Sequence, residues 1–286
     1  MKKYIKLMRV HHYIKNLLVF VALICSGCLF DFEKFSKCIM GFLAFCTISS
    51  VVYIINDIKD VAKDRAHPTK CKRPIASGEV TNNQALLLAV ILSMLALFFN
   101  YFTYSFESLF LLVLYFAMNI AYSLGLKNYT IIDIAILVSG FLIRIIYGSV
   151  ITGIDISNWL YLTVVVFALY FALGKRRNEI KQLGTDSTRN VLKKYPILFL
   201  DKSMNMCLTL GNAFYSLWSM DEKTIGLYNN DKVVFTAPLI LLITLKYSLD
   251  VEGSSDGDPV EVLLSDSVLM LMTIAYILIM LSILYF

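Results

Sequence analysis

Nine separate stretches of this 286-residue chain are apolar for close to the width of a bilayer, and that recurrence limits the fold more than any other feature. A helix needs about 20 such residues to cross the hydrocarbon core, where the backbone must satisfy its own polar groups. The stretches are 14–30, 38–56, 84–104, 108–126, 131–152, 158–174, 203–220, 233–249 and 267–286. Asn205, Gly211 and Asn212 interrupt the seventh, which is the weakest. With 58% hydrophobic residues, 16% charged residues and a mean hydropathy of +0.70, the chain does not read as a soluble domain. The expectation is an all-α polytopic membrane protein with nine transmembrane helices.

Charge sets the orientation. With the N-terminus in the cytoplasm, the inner segments are 1–15, 57–83, 127–130, 175–202 and 246–266. They hold 21 of the 26 Lys and Arg residues, as the positive-inside rule requires. The chain is therefore expected in the plasma (inner) membrane, N-terminus inside and C-terminus outside. Its net charge of +5 is explained by orienting the spans and facing anionic lipid, so nucleic acid is not an implied partner. The basic opening runs into Leu17–Phe30 without a small-residue cleavage site, which reads as a first span and not as a removable signal. Cys25 and Cys28 have C-x-x-C spacing, but inside an apolar run they read as small hydrophobes. No soluble domain separates from the rest, so residues 1–286 are expected to form one integral membrane domain. Lipid-facing and subunit-facing apolar surfaces read alike, which leaves a homo-oligomer open.

Chemistry is expected on the cytoplasmic side, where two loops mix acids with bases. The second apolar run, Cys38 to Ile55, leads directly into Asn56-Asp57-Ile58-Lys59-Asp60-Val61-Ala62-Lys63-Asp64-Arg65. Asp57, Asp60 and Asp64 are spaced three and four residues apart, so they share one face if the helix continues. Three like charges repel unless a divalent cation sits among them, and Mg²⁺ fills the rest of its shell with substrate phosphates. Asn56 adds a carbonyl oxygen, while Arg65, Lys70 and Arg73 supply anion-binding bases. A merely solvated loop would explain those bases but not the aligned acids.

Further polar residues stand at the ends of spans. Lys15 is at the entrance of the first, where it reads equally well as a base snorkelling to lipid phosphate. Tyr122 and Lys127 mark the inner end of the fourth, and Asp133 opens the fifth. Arg144 lies eleven residues beyond Asp133, on the same face and about 16 Å away. An arginine that deep is costly and faces a cavity, a carboxylate or an anionic substrate. A polar cavity opening to the cytoplasm is expected, with a structural ion pair between helices as the plainer reading. Lys175, Arg176 and Glu179 follow the sixth span, where a basic end is also an ordinary stop signal.

Together these residues resemble the UbiA-type intramembrane prenyltransferase superfamily. Asn56-Asp57-x-x-Asp60-x-x-x-Asp64 matches its first aspartate-rich motif, after the second of nine helices. The resemblance implies a nine-helix bundle around a central cavity, with a lateral opening for a lipid tail. Where the aromatic prenyltransferases carry a second acidic motif, this chain has Gly174-Lys175-Arg176-Arg177-Asn178-Glu179. In that it is more similar to the decaprenyl-phosphate phosphoribosyltransferase branch. Tyr13-Ile14-Lys15-Asn16, His67-Pro68-Thr69-Lys70, Arg73-Pro74-Ile75-Ala76-Ser77-Gly78, Gly140-Phe141-x-x-Arg144 and Gly257-Asp258-Pro259-x-Glu261 also match that branch.

That branch implies phosphoribosyl pyrophosphate as donor, a polyprenyl phosphate as acceptor, and Mg²⁺ on Asp57, Asp60 and Asp64. Lys15, Arg65, Lys70 and Arg73 would clamp phosphates, and Lys127, Arg144, Lys175 or Arg176 would draw in the acceptor's head group. The alternative within the fold is prenyl transfer from a polyprenyl diphosphate to an aromatic or other small acceptor. A transporter using Asp133 and Arg144 is a third reading, but it gives no reason for the row of acids.

Overall fold

The computed structural model describes residues 2–66, 70–183, 191–228, 231–253 and 257–286. All regular structure among them is helical. In order the helices are α1 Lys2–Met8, α2 Val21–Ile24, α3 Phe32–Lys59, α4 Val61–Arg65, α5 Asn82–Tyr101, α6 Phe106–Leu124 and α7 Ile132–Thr152. There follow α8 Asn158–Leu183, α9 Ile197–Met220, α10 Glu222–Tyr228, α11 Ala237–Glu252, α12 Pro259–Ser265 and α13 Ser267–Tyr285. Polar residues set where they start. Asp31 accepts from the Lys34 amide at the head of α3, and Thr81 and Gln84 form a reciprocal capping box on α5.

Among the described residues seven helical stretches are long and apolar enough to cross a membrane, against the nine expected. They are α3, α5, α6, α7, most of α8, Lys232–Glu252 and α13. Ahead of the first expected span, 14–30, α1 and Val10–Ile24 meet at 46°, and counting that pair as one span gives eight. The seventh expected span, 203–220, lies in α9, a 24-residue helix whose Asp201, Lys202, Asn205 and Asn212 dilute its apolar character. Helices α5 and α13 leave long rows of Leu, Ile, Val and Met exposed, as a hydrocarbon solvent permits.

The chain divides into two compact units. Unit 1 is Met1–Leu23, Cys28–Gly125 and Ile143–Ile154; unit 2 is Ile24–Gly27, Leu126–Leu142 and Asp155–Phe286. In unit 1, α3 packs along α5, and Phe45 meets Tyr147 and Tyr115 edge-on at 4.8 and 5.3 Å. The end of α7 passes so close to the first segment that a Cβ on Gly148 would lie 2.0 Å from the Val19 carbonyl oxygen. In unit 2, α8 packs along α9 over a core that includes Tyr170, Met204, Cys207, Tyr247 and Leu269.

Candidate active site

Helix α3 ends at Lys59, and the chain bends at Asp60 (φ −90°, ψ 7°) before α4. The row of three acids is thus split: Asp57 is on the last turn of α3, Asp60 is at the break and Asp64 is on α4. This corrects the expectation of one continuous helix. The break turns Asp57 and Asp64 toward a common partner, and both are buried. Arg73 Nη1 donates to Asp57 Oδ1 at 3.1 Å and to Asp64 Oδ2 at 2.7 Å. Arg9 Nη2 donates to the same Asp57 oxygen at 2.6 Å.

Arg9 owes its place to a strained backbone. It sits at φ 53° between α1 and a 3-10 segment, Val10–Phe20, of unusual length. Its guanidinium lies 4.7 Å from the Tyr53 ring centroid, a cation–π contact that fixes it from the other side. Lys3 and Lys6, three residues apart on the same face as Arg9, donate to the carbonyls of Glu79 and Lys72. Lys3, Lys6 and Arg9 therefore hold Glu79, Lys72 and Asp57, a role the sequence reading missed; their three-residue spacing was the available signal.

The remaining expected residues of unit 1 take varied positions. Arg65 donates to the Ala76 carbonyl at 3.2 Å, which ties α4 to the loop that carries Arg73. Asn56 Oδ1 accepts from Ser123 at 3.1 Å, and Lys59 Nζ donates to the Ser123 carbonyl. Asn56 is thus directed to the end of α6 and does not join the acids. Lys15, Asp60, Lys70 and Tyr122 are half-buried. His67, Pro68 and Thr69 lie outside the described residues.

Arg144 belongs to unit 1 and Asp133 to unit 2. In unit 1, Arg144 Nε donates to Asn16 Oδ1 at 2.7 Å and Nη2 to the Tyr115 hydroxyl at 2.9 Å. Its guanidinium lies 4.7 and 5.6 Å from the ring centroids of Tyr115 and Phe45. Asn16 in turn reaches Ser49 and Cys46 on α3. In unit 2, Asp133 accepts from Arg176 Nε and from the Tyr195 hydroxyl, both at 2.6 Å. Arg176 also bonds Glu179 at 2.7 Å, while Arg177 bonds Asp201. Burial and the bond to Asp133 push the Tyr195 hydroxyl up to about 12. Lys175 pairs with Asp258 at 3.3 Å, and Lys127 is half-buried.

Among the described residues no group of three His, Cys, Asp or Glu is arranged to hold a metal ion. Yet Asp57 and Asp64 converge on one cationic nitrogen, and a small hard cation that takes one or two carboxylates and completes its shell with phosphate suits that donor set.

The model of the UbiA prenyltransferase family matches residues 17–250. The chain belongs to that family. UbiA membership and the repeated apolar helices make it a multi-pass membrane protein. A decaprenyl-phosphate phosphoribosyltransferase of Mycobacterium tuberculosis is 34% identical over 96% of this chain and 91% of its own length. One from Mycolicibacterium smegmatis is 33% identical over 96% and 89%. A UbiA homolog from Archaeoglobus fulgidus, solved bound to GPP and Mg²⁺, superposes with a TM-score of 0.67 over 98% of this chain and 99% of that one. At 19% identity that likeness speaks for the UbiA fold alone.

Proposed function

We propose that the protein transfers 5-phosphoribose from phosphoribosyl pyrophosphate to a polyprenyl phosphate of decaprenyl type. The carrying observation is the identity of 33–34% to decaprenyl-phosphate phosphoribosyltransferases across 96% of the chain. The reaction is Mg²⁺-dependent and takes place at the cytoplasmic face of a single membrane domain, with the N-terminus inside. An acceptor phosphate oxygen attacks the anomeric carbon, and the C1–O bond breaks as pyrophosphate leaves with its electrons. Positive charge builds on the ribose ring, as in other glycosyl transfers.

Asp57 and Asp64, with Asp60 beside them, would hold Mg²⁺, which when bound supplies Lewis-acid stabilisation to the departing diphosphate. Arg73 and Arg9 present guanidinium groups to the same place and bind phosphate oxygens in paired, charge-assisted hydrogen bonds. Arg65 keeps the Arg73 loop on α4, and Lys70 and Lys15 add positive charge. Asn16 and Arg144 lock the first segment to α7, so that Arg9 is delivered from a fixed base. Lys127 and Lys175 supply further charge for a substrate phosphate. The acceptor is already an anion, so no side chain has to remove a proton.

Prenyl transfer to an aromatic acceptor would use the same acids, but the basic Lys175-Arg176-Arg177 run stands where that reaction needs a second acidic cluster. The test is a pair of assays on purified protein with Mg²⁺. Labelled phosphoribosyl pyrophosphate with polyprenyl phosphate should give a labelled lipid, whereas polyprenyl diphosphate with an aromatic acceptor should give nothing. The reverse outcome would assign prenyl transfer.

A further inference from the structure

The turn Gly257-Asp258-Pro259 is a sequence motif to which the chemistry above gives no part, and its geometry in unit 2 is specific. Gly257 has φ +77°, a conformation that side-chain-bearing residues rarely adopt. A Cβ there would lie 2.9 Å from the Gly174 carbonyl oxygen and 2.9 Å from the Lys175 Cα. The turn therefore rests directly on the backbone of α8 at Gly174–Lys175. Pro259 follows at the first position of α12, where a missing N–H costs nothing. Asp258 does two things with its two oxygens. Oδ1 caps α12 through the Val260 amide at 3.1 Å, and Oδ2 accepts from Lys175 Nζ at 3.3 Å.

The neighbours of Lys175 are committed elsewhere. Arg176 is 1% exposed and bound to Asp133 and Glu179; Arg177 bonds Asp201; Asn178 donates to the Val251 carbonyl. The Lys175 side chain is 36% exposed, and its ammonium has three N–H donors, one of which goes to Asp258. Of the four consecutive residues, Lys175 is the one whose charge solvent and ligands can reach. A long, exposed lysine would otherwise sample many rotamers, and an anchored acid beside it fixes one of them.

We infer that Asp258, seated by Gly257, is a positioning residue that holds the Lys175 ammonium ready for a phosphate group of a phosphorylated substrate. The inference rests on the phosphoribosyltransferase reading and adds to it a residue that touches no substrate. The sugar donor and the lipid acceptor both carry such a phosphate, and the experiment distinguishes them.

Asp258→Asn is the informative variant, because asparagine caps a helix as well as aspartate does and only the charge is lost. The full chain in lipid nanodiscs would be assayed as parent, Asp258→Asn, Lys175→Met and the double variant. KM is measured separately for phosphoribosyl pyrophosphate and decaprenyl phosphate. In Asp258→Asn one KM should rise about three- to tenfold, the range set by ordering one long side chain. The kcat should stay within about twofold, as for lost uniform binding. The double variant should be no worse than Lys175→Met alone. Whichever KM moves names the phosphate.

Unchanged or lower KM values in Asp258→Asn, or losses that add in the double variant, would overturn the inference. Calorimetric titration with each substrate keeps the two claims apart. Weakened binding in Asp258→Asn by a protein that transfers no phosphoribose supports the positioning role and contradicts the reaction. Equal binding of both substrates with transfer intact overturns the positioning role alone. A parent that binds neither overturns both.

Discussion

Two acid–arginine clusters, one in each unit, look alike in composition and differ in access. In unit 1, Asp57 and Asp64 meet Arg9 and Arg73, whose side chains are 19% and 25% exposed. In unit 2, Asp133 meets Arg176, which is 1% exposed, and Tyr195 closes the other side. Arg9 and Arg73 are partly exposed, so either can turn to a phosphate provided that a cation takes its place beside the buried Asp57 and Asp64. A sealed pair cannot open without stranding a charge in a low-dielectric interior. We propose that the first cluster exchanges partners with a charged ligand, and that the second holds α7 and α8 together. On that reading Asp133, Arg176 and Glu179, expected as substrate contacts, are proposed to serve the scaffold.

The largest effect should come from Asp57→Ala. In the proposed metal site, losing this carboxylate would remove several kcal/mol of leaving-group stabilisation, so turnover should fall about a thousandfold or more. Protein yield and thermal unfolding should stay near the parent's. Full activity would take Asp57 out of the site and end the contrast between the clusters.

Asp133→Ala should do the opposite. Breaking a buried pair by removing one partner costs about 3–5 kcal/mol, so the thermal unfolding midpoint should drop sharply. Turnover per folded molecule should change little. A variant of parental stability and no activity would make unit 2's cluster catalytic instead.

A smaller change is expected for Arg73→Gln. The loss of a charge-assisted contact to the donor should raise the KM for phosphoribosyl pyrophosphate about tenfold or more. An unchanged KM would mean that Arg73 serves only to keep Asp57 and Asp64 together.

The smallest concerns Tyr195→Phe, which removes the hydrogen bond to Asp133 and the one accepted from the Ile131 amide, and should cost about 1–2 kcal/mol of stability at neutral pH. The hydroxyl is raised from its usual 10.0 to about 12 in the folded protein. Its contribution is therefore fully present below pH 10 and is lost as pH rises through about 12. The parent should lose stability over that window by more than the variant does. Parallel curves would show that this hydroxyl is not held by Asp133.

The apolar runs made the helices legible, because hydropathy over a long window does not depend on tertiary contacts. The same signal is weakest at α9, where Asn205, Gly211 and Asn212 interrupt the apolar run. The acids of the first loop were legible as a group, but the bend at Asp60 was not, since Val61–Arg65 has ordinary helical composition. Arg9 was legible only as one of three evenly spaced bases, because its partner depends on a left-handed backbone at that one residue. Lys175 and Arg176 are adjacent and equally basic in sequence. Only burial, a property of how α8 packs, separates an exposed ammonium from a sealed guanidinium. Likewise nothing in the row of residues near Asp133 announces Tyr195, sixty-two positions away.

The central claim is that the donor's sugar, and not a prenyl group, moves to the lipid. Phosphoribosyl pyrophosphate labelled separately at its 5-phosphate and at its β-phosphate tests it directly, with polyprenyl phosphate as acceptor. The account predicts that the 5-phosphate label passes into the lipid product while the β-phosphate label is released as pyrophosphate, both only when Mg²⁺ is present. Both labels staying in the water-soluble donor, while polyprenyl diphosphate is consumed in a parallel reaction with an aromatic acceptor, would contradict it.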